Sequence, residues 1–296
     1  MRATPRRETH MVKQYIVPID HSPESWRAFD VALTIATRSK SDICIVHVAP
    51  EPLDGRQAKA QLQFEIQQRG PFDIDIEVSS HVRLAIGTVA AELEAVMALH
   101  PGAVMIMSSH GKGRSAAIVG SITEDILQRT FGPIVLVGPK ANSNDFTGPI
   151  IVTVDGSQES EVALPLAAAW AIELGTTPLI LSVGDPTTAA SSGNNDVVDT
   201  AYLARLAGGL RSFSGHGVEF DELHGKHPDR AVASYATWHN ASLIVASSHG
   251  RTGLSRLTMG SITAGFVRNA TCPVVVIRLP VPQTGHADVQ AQMWAY

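Results

Sequence analysis

Ser247, Ser248, His249 and Gly250, with Gly260 and Ser261 following, are the residues of this chain whose types and spacing point most directly to chemistry. They come after a short apolar run, Leu243 to Ala246, and before Ile262, Phe266 and Val267 at helical spacing. This order predicts a buried strand, a loop of small residues, and a helix with Ser261 as its N-cap. The first backbone N–H groups of such a helix have no partner within it, and the positive end of its dipole lies beside them. A strand end of small residues facing that helix start suits an anion, phosphate above all. A β-branched run, Val274 to Ile277, follows Pro273 and predicts a further strand.

The same features occur once before. Ser108, Ser109, His110 and Gly111 precede Gly120 and Ser121, and Pro133 again introduces an apolar strand. Gly250 stands 139 residues after Gly111, and Gly260 and Pro273 stand 140 after Gly120 and Pro133. Asp20, in IVPIDHS, is answered 135 residues later by Asp155 in IVTVDGS. The chain therefore holds one domain twice. The repeat is too long for a solenoid, so each copy is expected to have its own core. A chain of 296 residues agrees, at about 150 residues per domain. The expected division is an extension at 1–13, a first domain at 14–140, a linker at 141–148, a second domain at 149–279 and a tail at 280–296.

Strand and helix signals alternate through both copies. The first copy predicts strands at 14–20, 42–48 and 74–78, one ending at Met107 and one from Ile134. Its helices are predicted after Ser22-Pro23, within 51–69, at 88–100 and from Ser121. The second predicts strands at 150–155, 178–183 and 218–223, helices at 157–174, 202–213 and 228–238, and a loose loop over 184–199. The expected fold class is α/β, two tandem doubly wound domains, each a five-stranded parallel sheet flanked by helices. In such sheets ligands bind beyond the carboxyl ends of the strands. There Asp20 or Asp155, the backbone beside Val48 or Val183, and the glycine loop would share one crevice, a cradle for a nucleotide. The P-loop and the dinucleotide fingerprint both fit poorly. Neither GKGRS at Gly111 nor GRTGLS at Gly250 has the P-loop order, and Gly111 and Gly113 follow the fourth strand rather than the first.

The pattern resembles that of the universal stress protein family, whose nucleotide-binding members carry G-x2-G-x9-G-[ST] at the fourth strand and following helix, with an aspartate ending the first strand. The second copy reads Ser247-x2-Gly250, nine residues, then Gly260-Ser261; the first reads Ser108-x2-Gly111, eight residues, then Gly120-Ser121. Serine stands in both for the first family glycine, and the second copy lies nearer the pattern. The resemblance implies a Rossmann-like fold, adenine nucleotide alpha hydrolase-like. It implies ATP, carried with Mg, bound by Asp155, Val183, Ser247, Gly250, Gly260, Ser261, Ile262 and Thr263, and in the first copy by Asp20, Val48, Ser108, Gly111, Gly120, Ser121, Ile122 and Thr123. The aspartates and valine backbones would meet base and ribose; the glycines and serines would meet phosphates. The implied role is a cytoplasmic, homodimeric ATP sensor or regulator acting in the stress response through protein partners, not an enzyme beyond slow ATP hydrolysis.

Composition sets limits on the alternatives. A net charge of −5 gives no electrostatic reason to expect nucleic acid. Arg2, Arg6 and Arg7 are followed by no apolar stretch of the kind a secretory signal needs, and no run is long enough for a membrane span. Cys44 and Cys272 are isolated, as in a reducing compartment. One rival reading is a non-nucleotide scaffold that dimerises by edge pairing along Val274 to Ile277. Another is a hydrolase or transferase using Ser248 and His249, although no third orienting group stands at a recognisable position, and packing is the plainer role for His110 and His249. Asp20 and Asp155 could equally cap the following helices with Ser22 and Ser157. His216, His224 and His227 match no zinc spacing and read as surface residues.

Overall fold

The computed structural model describes residues 12, 14–49, 55–73, 75–111, 119–184, 200–248 and 259–278. The first half forms β1 (Gln14–Pro18), α1 (Pro23–Ser39), β2 (Asp42–Ala49), α2 (Gly55–Gln67), β3 (Val78–Leu84), α3 (Val89–Leu99), β4 (Val104–Ser108), α4 (Ser121–Arg129) and β5 (Gly132–Val137). The second forms β6 (Ile150–Thr153), α5 (Gln158–Glu161), α6 (Ala163–Leu174), β7 (Pro178–Gly184), α7 (Thr200–Ser214), β8 (Glu219–His224), α8 (Pro228–Trp238), β9 (Leu243–Ser247), α9 (Ser261–Asn269) and β10 (Val274–Arg278).

Each half is a parallel sheet with the same strand order, β3-β2-β1-β4-β5 and β8-β7-β6-β9-β10. Successive strand residues point to opposite faces, and both faces are covered by helices. Tyr15, Val17, Ile43 and Ile45 pack beneath α1 and α2, in a core that continues under α6 and α7. Ile16, Cys44, Val46, Met105 and Met107 pack on the other side, with α3, α4, α8 and α9. The helix starts follow local rules. Ser22 caps α1 by accepting from the Ser25 amide at 3.1 Å, with Pro23 in the first turn. Ser157 caps α5 in the same way, accepting from the Ser160 amide at 3.2 Å.

The two sheets are not separate. β5 and β10 pair antiparallel, Val135 opposite Val275 and Ile134 opposite Val276, so that ten strands form one continuous sheet. The Val274 to Ile277 run, expected to be an edge, thus lies at the centre of the sheet and its pairing groups are used within the chain.

Four other expectations need correction. The third strand is Val78–Leu84 rather than 74–78. As an outer strand it is half-exposed, with Ser79, Ser80 and His81 in it, so the stronger alternating signal lies just upstream of the pairing residues. The helix expected over 157–174 breaks at Val162 between α5 and α6. Pro165 accounts for the break, because its ring opposes the carbonyl of the residue four before it, Glu161. Finally, Gly120 and Gly260 are the N-caps of α4 and α9, and Ser261 is the first helical residue. Ile262, expected on the buried helical face, is 48% exposed, whereas Phe266 and Val267 are buried. The extension apart from Val12, the tail, most of the 184–199 loop, His249 and Gly250 lie outside the described residues.

Candidate functional site

In each half the strand order reverses between the first and fourth strands, β1 and β4 or β6 and β9, and a ligand crevice belongs at that point. In the first half a cleft of about 250 Å³ opens there, at the C-terminal ends of β1, β2 and β4. Ile19, Val46, Val48, Val89, Leu93 and Met107 form its apolar wall. Asp20, Ser108, His110, Gly111, Gly120, Ser121, Ile122 and Thr123 also line the cleft, with Pro18 and Ser25. All eight residues expected of the first copy therefore meet in one place.

The polar side is held by backbone. The amide of Ser109 donates to Val137 O at 3.0 Å, and the amide of Gly120 donates to Ser109 O at 2.7 Å, bringing the start of α4 against the end of β4. The buried hydroxyl of Thr123 donates to Ser108 O at 3.2 Å, so this side chain fastens the helix start and offers the cleft little beyond its backbone. No side chain caps α4. Its first N–H groups and the positive end of its dipole face the cleft. Gly111 leaves room for Asp20, because a Cβ at position 111 would lie 2.6 Å from Asp20 Oδ2 and the carboxylate would have to shift.

Asp20 serves the turn into the following helix, one of the two places weighed from the sequence, and also stands at the cleft. Its Oδ1 accepts from the Ser22 amide at 3.0 Å and from the Ser22 hydroxyl, which fixes the turn into α1. The same carboxylate lines the cleft. His110, read as a packing residue, is indeed buried, with Nδ1 3.1 Å from Ser109 Oγ, yet it also lines the cleft. Sequence spacing carried no signal for Ile19, Val46, Val89, Leu93 or Met107, whose place in the wall comes from the sheet and α3.

The second half repeats this geometry wherever it is described. The Ser248 amide donates to Ile277 O at 2.8 Å, and the Gly260 amide to Ser248 O at 2.9 Å. The Thr263 hydroxyl donates to Ser247 O at 3.0 Å. Asp155 Oδ1 accepts from the Ser157 amide at 3.0 Å. Asp155 follows β6, Val183 lies on β7, Ser247 ends β9, and Ser261, Ile262 and Thr263 open α9 without a side-chain cap. Gly250, expected among them, lies outside the described residues.

The sequence model described as "Universal stress protein family" matches residues 11–138 and 147–278. A universal stress protein of Mycolicibacterium smegmatis is 28% identical over 188 residues, 59% of this chain and 61% of the relative, so the aligned part is less than two thirds of that relative's length. One from Mycobacterium tuberculosis is 23% identical over 294 residues, 89% of this chain and 96% of the relative. Among solved structures, that of a universal stress protein from Archaeoglobus fulgidus superposes with a TM-score of 0.69 at 18% identity, covering 90% of this chain and 99% of that one.

Proposed function

The chain belongs to the universal stress protein family, and from that premise we propose that it binds an adenine nucleotide, ATP, in the first-half cleft and in its second-half counterpart. The observation that carries this reading is the convergence of all eight expected first-copy residues on a cleft with an apolar wall and an uncapped helix start. An apolar slot beside Val46, Val48 and Met107 suits a purine, Asp20 suits ribose hydroxyls, and the start of α4 suits phosphate. Mg²⁺ would come with the phosphates. Among the described residues no three His, Cys, Asp or Glu side chains are grouped to hold an ion. The role is that of a binding module that reports nucleotide to a protein partner in the stress response, rather than an enzyme. Ser248, the nucleophile of the hydrolase reading, is only 6% exposed, and His249 lies outside the described residues. If the whole chain dimerises, it does so on a face other than β10, whose pairing edge β5 occupies.

Equilibrium dialysis of nucleotide-free protein against labelled ATP tests the reading. Saturable binding is expected, with Gly120→Val removing the first-half site and Gly260→Val the second. A Cβ at Gly120 meets only ordinary contacts, the nearest at 3.5 Å, so the fold should survive Gly120→Val. Linear, unsaturable uptake up to low millimolar ATP would refute the proposal.

A further inference from the structure

Beside the first-half cleft, on the α1 and α2 side of the sheet, lies a cluster of two histidines and a glutamate that is not repeated among the described residues of the second half. His21 follows Asp20 and has φ of +63°, a left-handed conformation; the second half has Gly156 at the matching place with φ of +83°. A side chain in this conformation needs surrounding contacts to hold it. Here His21 Nδ1 lies 2.9 Å from Glu65 Oε2 on α2, and its ring centroid is 4.4 Å from that of His47 at the end of β2. Glu65 Oε2 also accepts from Trp26 Nε1 at 2.9 Å, and the Arg69 guanidinium lies 3.9 Å over the Trp26 ring. His47 Nδ1 lies 2.8 Å from the carbonyl of Ile19, the residue before Asp20. The two imidazoles therefore hold the backbone on either side of Asp20.

We propose that His21 and His47 form a proton-sensitive clamp that positions Asp20, so that nucleotide binding weakens on acidification in the first half and not in the second. The inference rests on the nucleotide reading above. The partners of both Nδ1 atoms, a carboxylate and a carbonyl, are acceptors, so each Nδ1 carries hydrogen and an acid proton must enter at Nε2. The groups facing His47 are His21, Asp20 and Glu65, with Arg69 behind Trp26. Burial pushes the His47 imidazole below its ordinary value; the Ile19 carbonyl opposes the shift, and His21 adds to it. Because the closed arrangement depresses this value, the clamp is intact above the ordinary histidine range and is lost as pH falls through the lowered one. Charging the buried His47 ring beside His21 draws it toward water, which opens the turn at Ile19 and, with it, displaces Asp20.

The second half has no such device at the matching positions. Ser182 replaces His47, its hydroxyl buried and without a hydrogen-bond partner among the described residues. Glu161 stands where Trp26 does and accepts from Tyr202 Oη at 2.7 Å. Gly156 takes the left-handed turn without a side chain.

The test is nucleotide affinity against pH on the full chain, by calorimetric titration with ATP. Gly260→Val leaves the first-half site as reporter, or Asp155→Ala if that variant misfolds; Gly120→Val leaves the second. Phosphate protonation on the ligand is common to both sites, so the ratio of the two Kd values isolates the clamp. Between pH 7.5 and 5.5 the first-half Kd should rise about fivefold or more relative to the second, since one extra proton can change affinity up to about tenfold per pH unit. His21→Gly/His47→Ser, which copies the second half, should hold that ratio constant. Saturable binding with a constant ratio in the native first half, or a ratio change that survives in the double variant, overturns the clamp alone. Absence of saturable binding at every pH overturns the nucleotide reading and the clamp together.

Discussion

Gly111 and Gly120 belong to the same motif, yet the structure gives them different burdens. A Cβ at 111 would press on Asp20 Oδ2 at 2.6 Å, whereas at 120 the nearest atoms are the His110 Cα and Ser109 O at 3.5 Å. Gly111→Ala should therefore displace the Asp20 carboxylate and remove one charge-assisted hydrogen bond to the nucleotide, about 1.5–3 kcal/mol or roughly ten- to hundredfold in Kd. Gly120→Ala should change Kd by less than about threefold, because α4 keeps its N–H groups and gains only van der Waals contact. Calorimetric titration of the two variants compares them, and equal losses would mean that Asp20 does not touch the ligand. At α9 a neighbouring residue explains why Gly, not Ser, is the cap. A Cβ at 260 would approach Ser248 O at 3.2 Å, closer than most side chains accept. Capping preference alone favoured Ser261, and the tight approach of helix to strand end decides otherwise.

At the scale of elements, the turn from first strand to first helix is the most repeated construction in the molecule. Ser22 accepts from the Ser25 amide and donates to Asp20, and Ser157 does the same between Ser160 and Asp155. Ser22→Ala and Ser157→Ala should each cost about 1 kcal/mol in urea unfolding, with m unchanged. A cost below about 0.3 kcal/mol would show that the aspartates hold these turns unaided. These caps were legible in the sequence because a cap is a local device, fixed by residue types a few positions apart. The repeat, the alternation of strand and helix within each half and the small-residue loops were legible for the same reason, each being carried by periodicity or spacing. The break at Val162 was written there too, in Pro165. Other features depend on contacts between distant segments and left no such trace. β3 is an outer strand whose half-exposed residues carry little apolar alternation. The cluster of His21, His47 and Glu65 spans 44 residues of sequence and matches no motif, because it forms only when α2 is laid beside the end of β1.

For the whole molecule, the union of β5 with β10 has two consequences. The first is directional. Because this one pairing is antiparallel, the strands of the two halves run oppositely, and the two crevices open at opposite borders of the sheet. The second is cooperative. Beyond the strand pairing, Arg38 donates to Leu174 O, Arg278 donates to Leu127 O at 3.0 Å, and the Tyr15 and Trp170 rings meet edge to face at 6.4 Å. Gly138 lies at the tightest point of this junction. A Cβ there would fall 1.8 Å from Val267 O on α9, a backbone atom that can yield only if the helix moves. Such a junction should make the native chain unfold in one calorimetric transition, with matching calorimetric and van't Hoff enthalpies. Gly138→Val should overpack it by about 3 kcal/mol or more. That loss lowers Tm by about 6 °C or more, or splits the transition as the halves separate. Ile172→Val, at a 45% exposed position on α6, serves as the control and should leave Tm within about 2 °C, since exposed substitutions rarely exceed 0.5 kcal/mol. A Gly138→Val chain that melts like the control would mean that the halves are joined by strand pairing alone, with α9 free to give way.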